Sequence, residues 1–358
     1  MVDQSVKLLW SRSLHLRSSS ETMAAASDAL VVAERHSRLT RLDPVSGESL
    51  WEQRVEDCWG TTVVAGEKCL YLSQAGVLHC FDLHNGEQMW STPGPRLLHY
   101  VSVSGSVILL GGWRGYHPLK RVSLADGEPL PPVSTALPHG SQLAWPLPLR
   151  LAPERDLATH AALIAIADKP ELLLLDSQSG TVVAEWPLPA PVVFPDTGIA
   201  YDVSDDGRII FLSGRRTIMA FHPVDGVKVL WQHERDLLPH PPMLRGGALW
   251  LVEDTGITFV DLDRGAVTEV AHLPRGAVSA AAPISGGALF AYPDGSLVSV
   301  DRVGHVNASL RIPARIDRLL PGGSDLVHAI GTGHLVTLNL VTPGREDSGA
   351  DHERRVEV

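Results

Sequence analysis

The side chains best suited to chemistry in this chain are arginines, histidines and aromatics set in short glycine-flanked segments. The densest is Gly111-Gly112-Trp113-Arg114-Gly115-Tyr116-His117. An Arg forks carboxylates and phosphates, a His moves protons near neutral pH, and flat rings supply contact area. Similar residues stand at Arg17, Arg35-His36, Trp59, Arg96 with His99 and Tyr100, Arg215-Arg216, His233 to His240, Arg275 and Arg315. The candidate binding set is Trp59, His99, Tyr100, Trp113, Arg114, Tyr116, His117, Arg215, Arg216 and Arg275. It suits a protein or peptide partner, or an anionic small molecule. Were the chain an enzyme (a lyase, hydrolase or cyclase), His99, Tyr100, His117 and Arg114 would serve as acid, base and anion clamp.

Other chemistries find less support. His233-Glu234-Arg235-Asp236-Leu237-Leu238-Pro239-His240 carries two imidazoles and two carboxylates, but no third ligand stands at a recognisable spacing, so no metal is assigned. Asp205-Asp206-Gly207 and Asp294-Gly295 read as hairpin turns on the face opposite the arginine-rich loops, and no calcium is assigned to them. There is neither a G-x-S-x-G elbow nor a Walker loop, so no catalytic residue is assigned and no cofactor is expected.

What must position these residues is a repeated phrase. Leu39 to Trp51 and Leu78 to Trp90 both read as an alternating strand ending in Asp, three residues, Gly, three residues, Trp. Its equivalents are Asp43, Asp82, Ser123, Asp176, His222, Asp261, Asp301 and Asn339, at spacings of 39, 41, 53, 46, 39, 40 and 38 residues. A strand-rich period near forty residues predicts an all-β propeller. The glycines four residues on (Gly47, Gly86, Gly127, Gly180, Gly226, Gly265) suit a tight turn, and Trp51, Trp90, Trp186 and Trp231 suit packing of one blade on the next.

The count is eight blades. Seven is the alternative if Ser134 to His160 hides a misassigned blade. The eighth repeat lacks its last strand, and Val6-Lys7-Leu8-Leu9-Trp10 nearly duplicates Val227-Lys228-Val229-Leu230-Trp231. The N-terminal segment is therefore expected to supply the missing outer strand and close the ring. Residues 1–341 form the propeller and the charged segment 342–358 a disordered tail.

The Asp-x3-Gly-x3-Trp blades, from about Val6 to Leu340, resemble the repeats of the pyrroloquinoline-quinone-like (PQQ-like) propellers. That family includes quinoprotein alcohol dehydrogenases and the propeller subunit of the outer-membrane β-barrel assembly machinery. The resemblance implies the fold, while function has to be argued from a site. The family's dehydrogenases carry a vicinal Cys-Cys pair over the quinone; Cys58, Cys69 and Cys80 are not adjacent. A quinoprotein activity is therefore the least supported reading.

Composition bounds the setting. A net charge of −11 argues against general nucleic-acid binding, and no apolar run is long enough for a membrane helix. The start MVDQSVKLLWSRSL lacks the pattern of a secretory signal, and the cysteines are odd in number, which places the protein in the cytoplasm with free thiols. The 25 Arg against five Lys fit a GC-rich genome as well as they fit anion recognition. The reading preferred is a cytoplasmic, non-catalytic scaffold that presents these loops to a partner.

Overall fold

The computed structural model describes residues 5–14, 23–26, 28–34, 38–55, 61–94, 98–112, 119–134, 137, 141–146, 160–194, 200–254, 256–274, 276–323, 325–331 and 333–341. These form eight antiparallel sheets, seven of four strands and one of three, in the order of an eight-bladed propeller. The seven-blade alternative falls because the irregular stretch contains Ser141–Pro146, the inner strand of blade 4. The third strands are Arg38–Leu42, Leu78–Asp82, Lys120–Ser123, Glu171–Asp176, Thr217–His222, Gly256–Asp261, Ser296–Asp301 and His334–Val341. Each ends at or beside, or in blade 8 contains, its residue of the repeated phrase.

The phrase works as a turn and a clamp. Asp43 Oδ1 accepts from the amides of Val45 and Ser46 at 2.9 and 2.6 Å. Asp82, Asp176, Asp261 and Asp301 accept in the same way from the amide two residues on, at 2.8–3.0 Å. Ser123 and His222 do so with a hydroxyl and an imidazole at 3.3 Å. These amides, chiefly those of Ser46 and Asn85, hold the Asp43 and Asp82 carboxyls below the usual carboxylate range.

Each glycine then takes a positive φ and leaves room for the previous blade. A Cβ on Gly86 (φ +76°) would stand 2.7 Å from the Trp51 ring, and one on Gly127 2.5 Å from Trp90. Trp186 abuts Gly226, and Trp10 abuts Gly47 at 2.7 Å. Trp51 Nε1 donates to the Leu83 carbonyl at 2.7 Å and Trp10 Nε1 to that of Pro44 at 3.0 Å. Trp231 departs from this pattern. It packs in the core between blades 5 and 6, while the space around Gly265 is open.

Ring closure is as expected: Ser5–Ser13 pairs antiparallel with His334–Val341 as the outer strand of blade 8. Blade 3 is the three-stranded one. Where its outer strand would run, the chain reads Pro129-Leu130-Pro131-Pro132, and prolines cannot donate to a ladder. Val122 makes one bridge to Pro129, and Leu130, Val133 and Leu137 pack instead toward blade 4. Arg121 takes the tryptophan's place, its Nη1 filling the space where a Cβ on Gly180 would stand. Cys80 sits opposite Leu70, not Cys69, so the two buried thiols remain free. Burial pushes both up, Cys80 to about 11, which makes them poor nucleophiles. Cys58 and the segment 342–358 lie outside the described residues.

Candidate functional site on the top face and in the channel

Loops from outer to inner strands and from second to third strands share one end of the ring, the top face. Of the candidate set, Trp59, Trp113, Arg114, Tyr116, His117 and Arg275 lie outside the described residues, as do Arg17, Arg35, His36 and Arg96. His99 and Tyr100 are in the inner strand of blade 3, Leu98–Ser104, with Tyr100 opposite Gly111. Arg215 and Arg216 are exposed in the second-to-third turn of blade 5. Asp294-Gly295, expected on the opposite face, joins the second and third strands of blade 7 and is therefore on the top face too.

Between blades 5 and 6 the structure brings candidates together. His233 N donates to the Arg216 carbonyl at 2.8 Å and Leu237 N to that of Arg215 at 2.9 Å, so the interblade loop is pinned onto the arginine turn. Arg216 Nε meets Asp236 Oδ1 at 2.6 Å. Beneath them the Glu253 carboxylate is buried, with His233 Nε2 at 3.2 Å and the Thr258 hydroxyl donating to it. Arg235 reaches Glu253 and Glu269 only at 3.9 and 4.0 Å. Arg315 pairs with Asp317 at 2.7 Å. Of the rim arginines, Arg216, Arg235 and Arg315 carry carboxylate partners. Among the described residues no group of three His, Cys, Asp or Glu side chains could hold a metal.

The channel holds groups the sequence reading passed over. Asp202, in the inner strand of blade 5 (Tyr201–Val203), forms a two-pronged ion pair with Arg245 of blade 6 (Met243–Arg245) at 2.7 and 3.0 Å. Both side chains are 11% exposed. Arg245 also donates to the Val203 and Leu244 carbonyls. Burial raises the Asp202 carboxyl even against Arg245, pushes Tyr201 up to about 12, and lowers His240.

Two cavities meet at this pair. The upper, about 360 Å³, is lined by Tyr201, Asp202, His240 and the inner strands of blades 7 and 8, Ala280–Ile284 and Arg318–Pro321. The lower, about 300 Å³, is lined by Arg245, Asp205, Arg302 and Asp325 on the bottom face. Pro283 and Pro321 border both. The one sequence signal was a charge inside a segment read as an inner strand: Asp202 between Tyr201 and Val203.

Comparison with known proteins now has a geometry to meet. Residues 1–129 match the PQQ_2 family model described as outer membrane protein assembly factor BamB. The crystal structure of BamB from Moraxella catarrhalis superposes with a TM-score of 0.67 at 14% identity, covering 93% of this chain and 99% of that one. Within residues 1–129 the repeats match the PQQ-like type. The computationally designed Ika8 protein also superposes on the PQQ-like propeller, with a TM-score of 0.65 and 12% identity, over 92% of this chain and 98% of that one. At such identities the solved structures speak for the fold alone. No curated protein matches the chain by sequence. The family match covers the blades in which the tryptophan clamp is most regular, those bearing Gly47, Gly86 and Gly127.

Proposed function

We propose that this PQQ-like propeller is a non-catalytic scaffold whose top face docks a protein or peptide partner. The observation that supports it most is the braced rim between blades 5 and 6. Exposed Arg216 and Asp236 are held by a 2.6 Å pair, above a loop fixed by two backbone bonds. Side chains ordered before contact lose less entropy on binding, the property an interaction surface needs. The family name, an assembly factor, fits the same reading. The setting proposed is the cytoplasm, supported by two buried thiols on adjacent strands left unpaired.

The test is cross-linking of the full chain in a native extract, with fractionation for compartment. Cross-links should concentrate on 215–216 and 233–240, and Arg215→Glu with Arg216→Glu should lose them while melting unchanged. Cross-links confined to the bottom turns, or capture unaffected by charge reversal, would remove the top-face reading.

A further inference from the structure

The upper cavity lies at the top of the channel, where the inner strands of blades 5 to 8 begin. One stretch of chain joins it to the braced rim. Asp236 holds Arg216 on the rim, and three residues later Pro239, His240 and Pro241 line the cavity. Three residues span at most about 10 Å, so a single bound segment reaches both.

Each charged or polar side chain on the cavity wall has a partner within the protein. Arg245 binds both oxygens of Asp202, which also accepts from the amides of Val203 and Leu244. Ser279 Oγ donates to the Ala291 carbonyl at 3.1 Å, and His240 bonds to the backbone of Val278. Asp317 meets Arg315 at 2.7 Å, and neither Arg318 nor Tyr201 is free. What the cavity offers is apolar contact: Pro239, Pro241 and Met243 from blade 6, then Ala280, Ala281 and Ala282 from blade 7. A charged group entering here would lose its water and find few partners, whereas an apolar side chain has no such bonds to lose.

We propose that the upper cavity is the anchor pocket of the docking surface proposed above, on which this inference rests. It takes one apolar side chain of phenylalanine size from the partner's docked segment, while the Arg216–Asp236 rim meets polar groups beside it. At about 360 Å³ the cavity is at the small end of the range of binding pockets, roughly 300–1,000 Å³, and suits a single side chain. Tyrosine and tryptophan suit it less, because their buried polar tips seek a partner. One buried ring within a polar rim is where interfaces concentrate their binding energy.

The probe is N-acetyl-L-phenylalaninamide, the side chain carried without end charges. The chain has five methionines, so the Met243 methyl signal of carbon-13 methyl-labelled full chain can be assigned with Met243→Leu. Titration should move that signal with an affinity of about millimolar. N-acetyl-L-alaninamide should bind about tenfold weaker or worse. Ala281→Leu, which fills the cavity from a half-buried position, should abolish the shift. If that variant does not fold, the ranking of probes on the wild type decides. An unmoved Met243 signal, equal binding of the alanine probe, or tighter binding of free L-phenylalanine, which would mark a site for a small charged ligand, would overturn the assignment. Cross-linking separates this from the docking surface itself. Folded Ala281→Leu should lose the cross-links at 233–240; cross-links that persist in it, yet vanish on charge reversal of Arg215 and Arg216, would remove the anchor and leave the rim standing.

Discussion

Two arcs of the ring solve blade packing differently. From the outer strand of blade 8 to blade 3, each blade inserts a tryptophan over the next blade's turn glycine: Trp10 on Gly47, Trp51 on Gly86, Trp90 on Gly127. From blade 5 to blade 8 the clamp is given up. Nothing stands within 4 Å of a Cβ on Gly265, and Gly304 has only Phe259 near it, at 3.9 Å. Here blades 6 and 7 hold together through the core of Trp250, Phe259, Phe290 and Tyr292. Both channel cavities described above border this second arc. The clamped arc fixes the ring; the other has alanine- and proline-rich inner strands around a buried ion pair, and space for a site.

If the contrast is real, changes in the first arc should cost more. The largest effect is expected from deleting residues 1–14, which strips the outer strand from blade 8 and exposes a sheet edge. The product should be aggregated or insoluble. A soluble monomer with an unchanged melting temperature would show that closure does not depend on this strand.

Next comes Trp51→Ala. Its ring is 8% exposed, and large-to-small loss at such a site costs about 3–5 kcal/mol, measurable by urea unfolding. Trp231→Ala should cost less, because that ring is only half-buried and clamps no glycine. Equal losses would erase the distinction between the arcs.

A pH dependence follows from blade 8. His328 is fully buried, with Nδ1 2.8 Å from Thr337 Oγ1, and burial pushes it down to about 4. The unfolded chain's histidine titrates near 6.5, so the neutral buried form contributes fully above that pH. As pH falls from about 6.5 to 4 the unfolded state binds a proton the folded state refuses, and up to about 3 kcal/mol is lost. Asp43 and Asp82, held low by turn amides, lose their contribution only below the usual carboxylate range, at more acid pH. Unfolding free energy measured from pH 7 to 4 should fall in the wild type and fall less steeply in His328→Gln, buried His240 contributing the remainder in the same direction. A wild type flat over that range would contradict the assignment.

The smallest effect compares two glycines. Gly86→Ala combines positive φ with a Cβ 2.7 Å from Trp51, whereas Gly265→Ala meets only the conformational strain of φ +63°. The first should cost about 1–3 kcal/mol and the second about 1. Reversal of that order would mean that the tryptophan contact is not what demands glycine.

The blade count, the closure strand and the turn chemistry were legible in the chain because each is local. Asp43 bonds amides two and three residues away, and Gly47 must adopt φ +74° within the same turn. Such features repeat once per blade, so a period near forty residues carries them. The pinning of Arg215 and Arg216 by the 233–240 loop was half legible, since both segments could be assigned to one face but not to one contact. Which residues line the channel was not legible. Asp202 and Arg245 are 43 positions apart in different blades, and nothing in either repeat marks the other as its partner. The residue types and turns were set by short-range sterics and hydrogen bonding. The ion pair, and the cavity it floors, exist only because ring closure brings successive inner strands round a common axis.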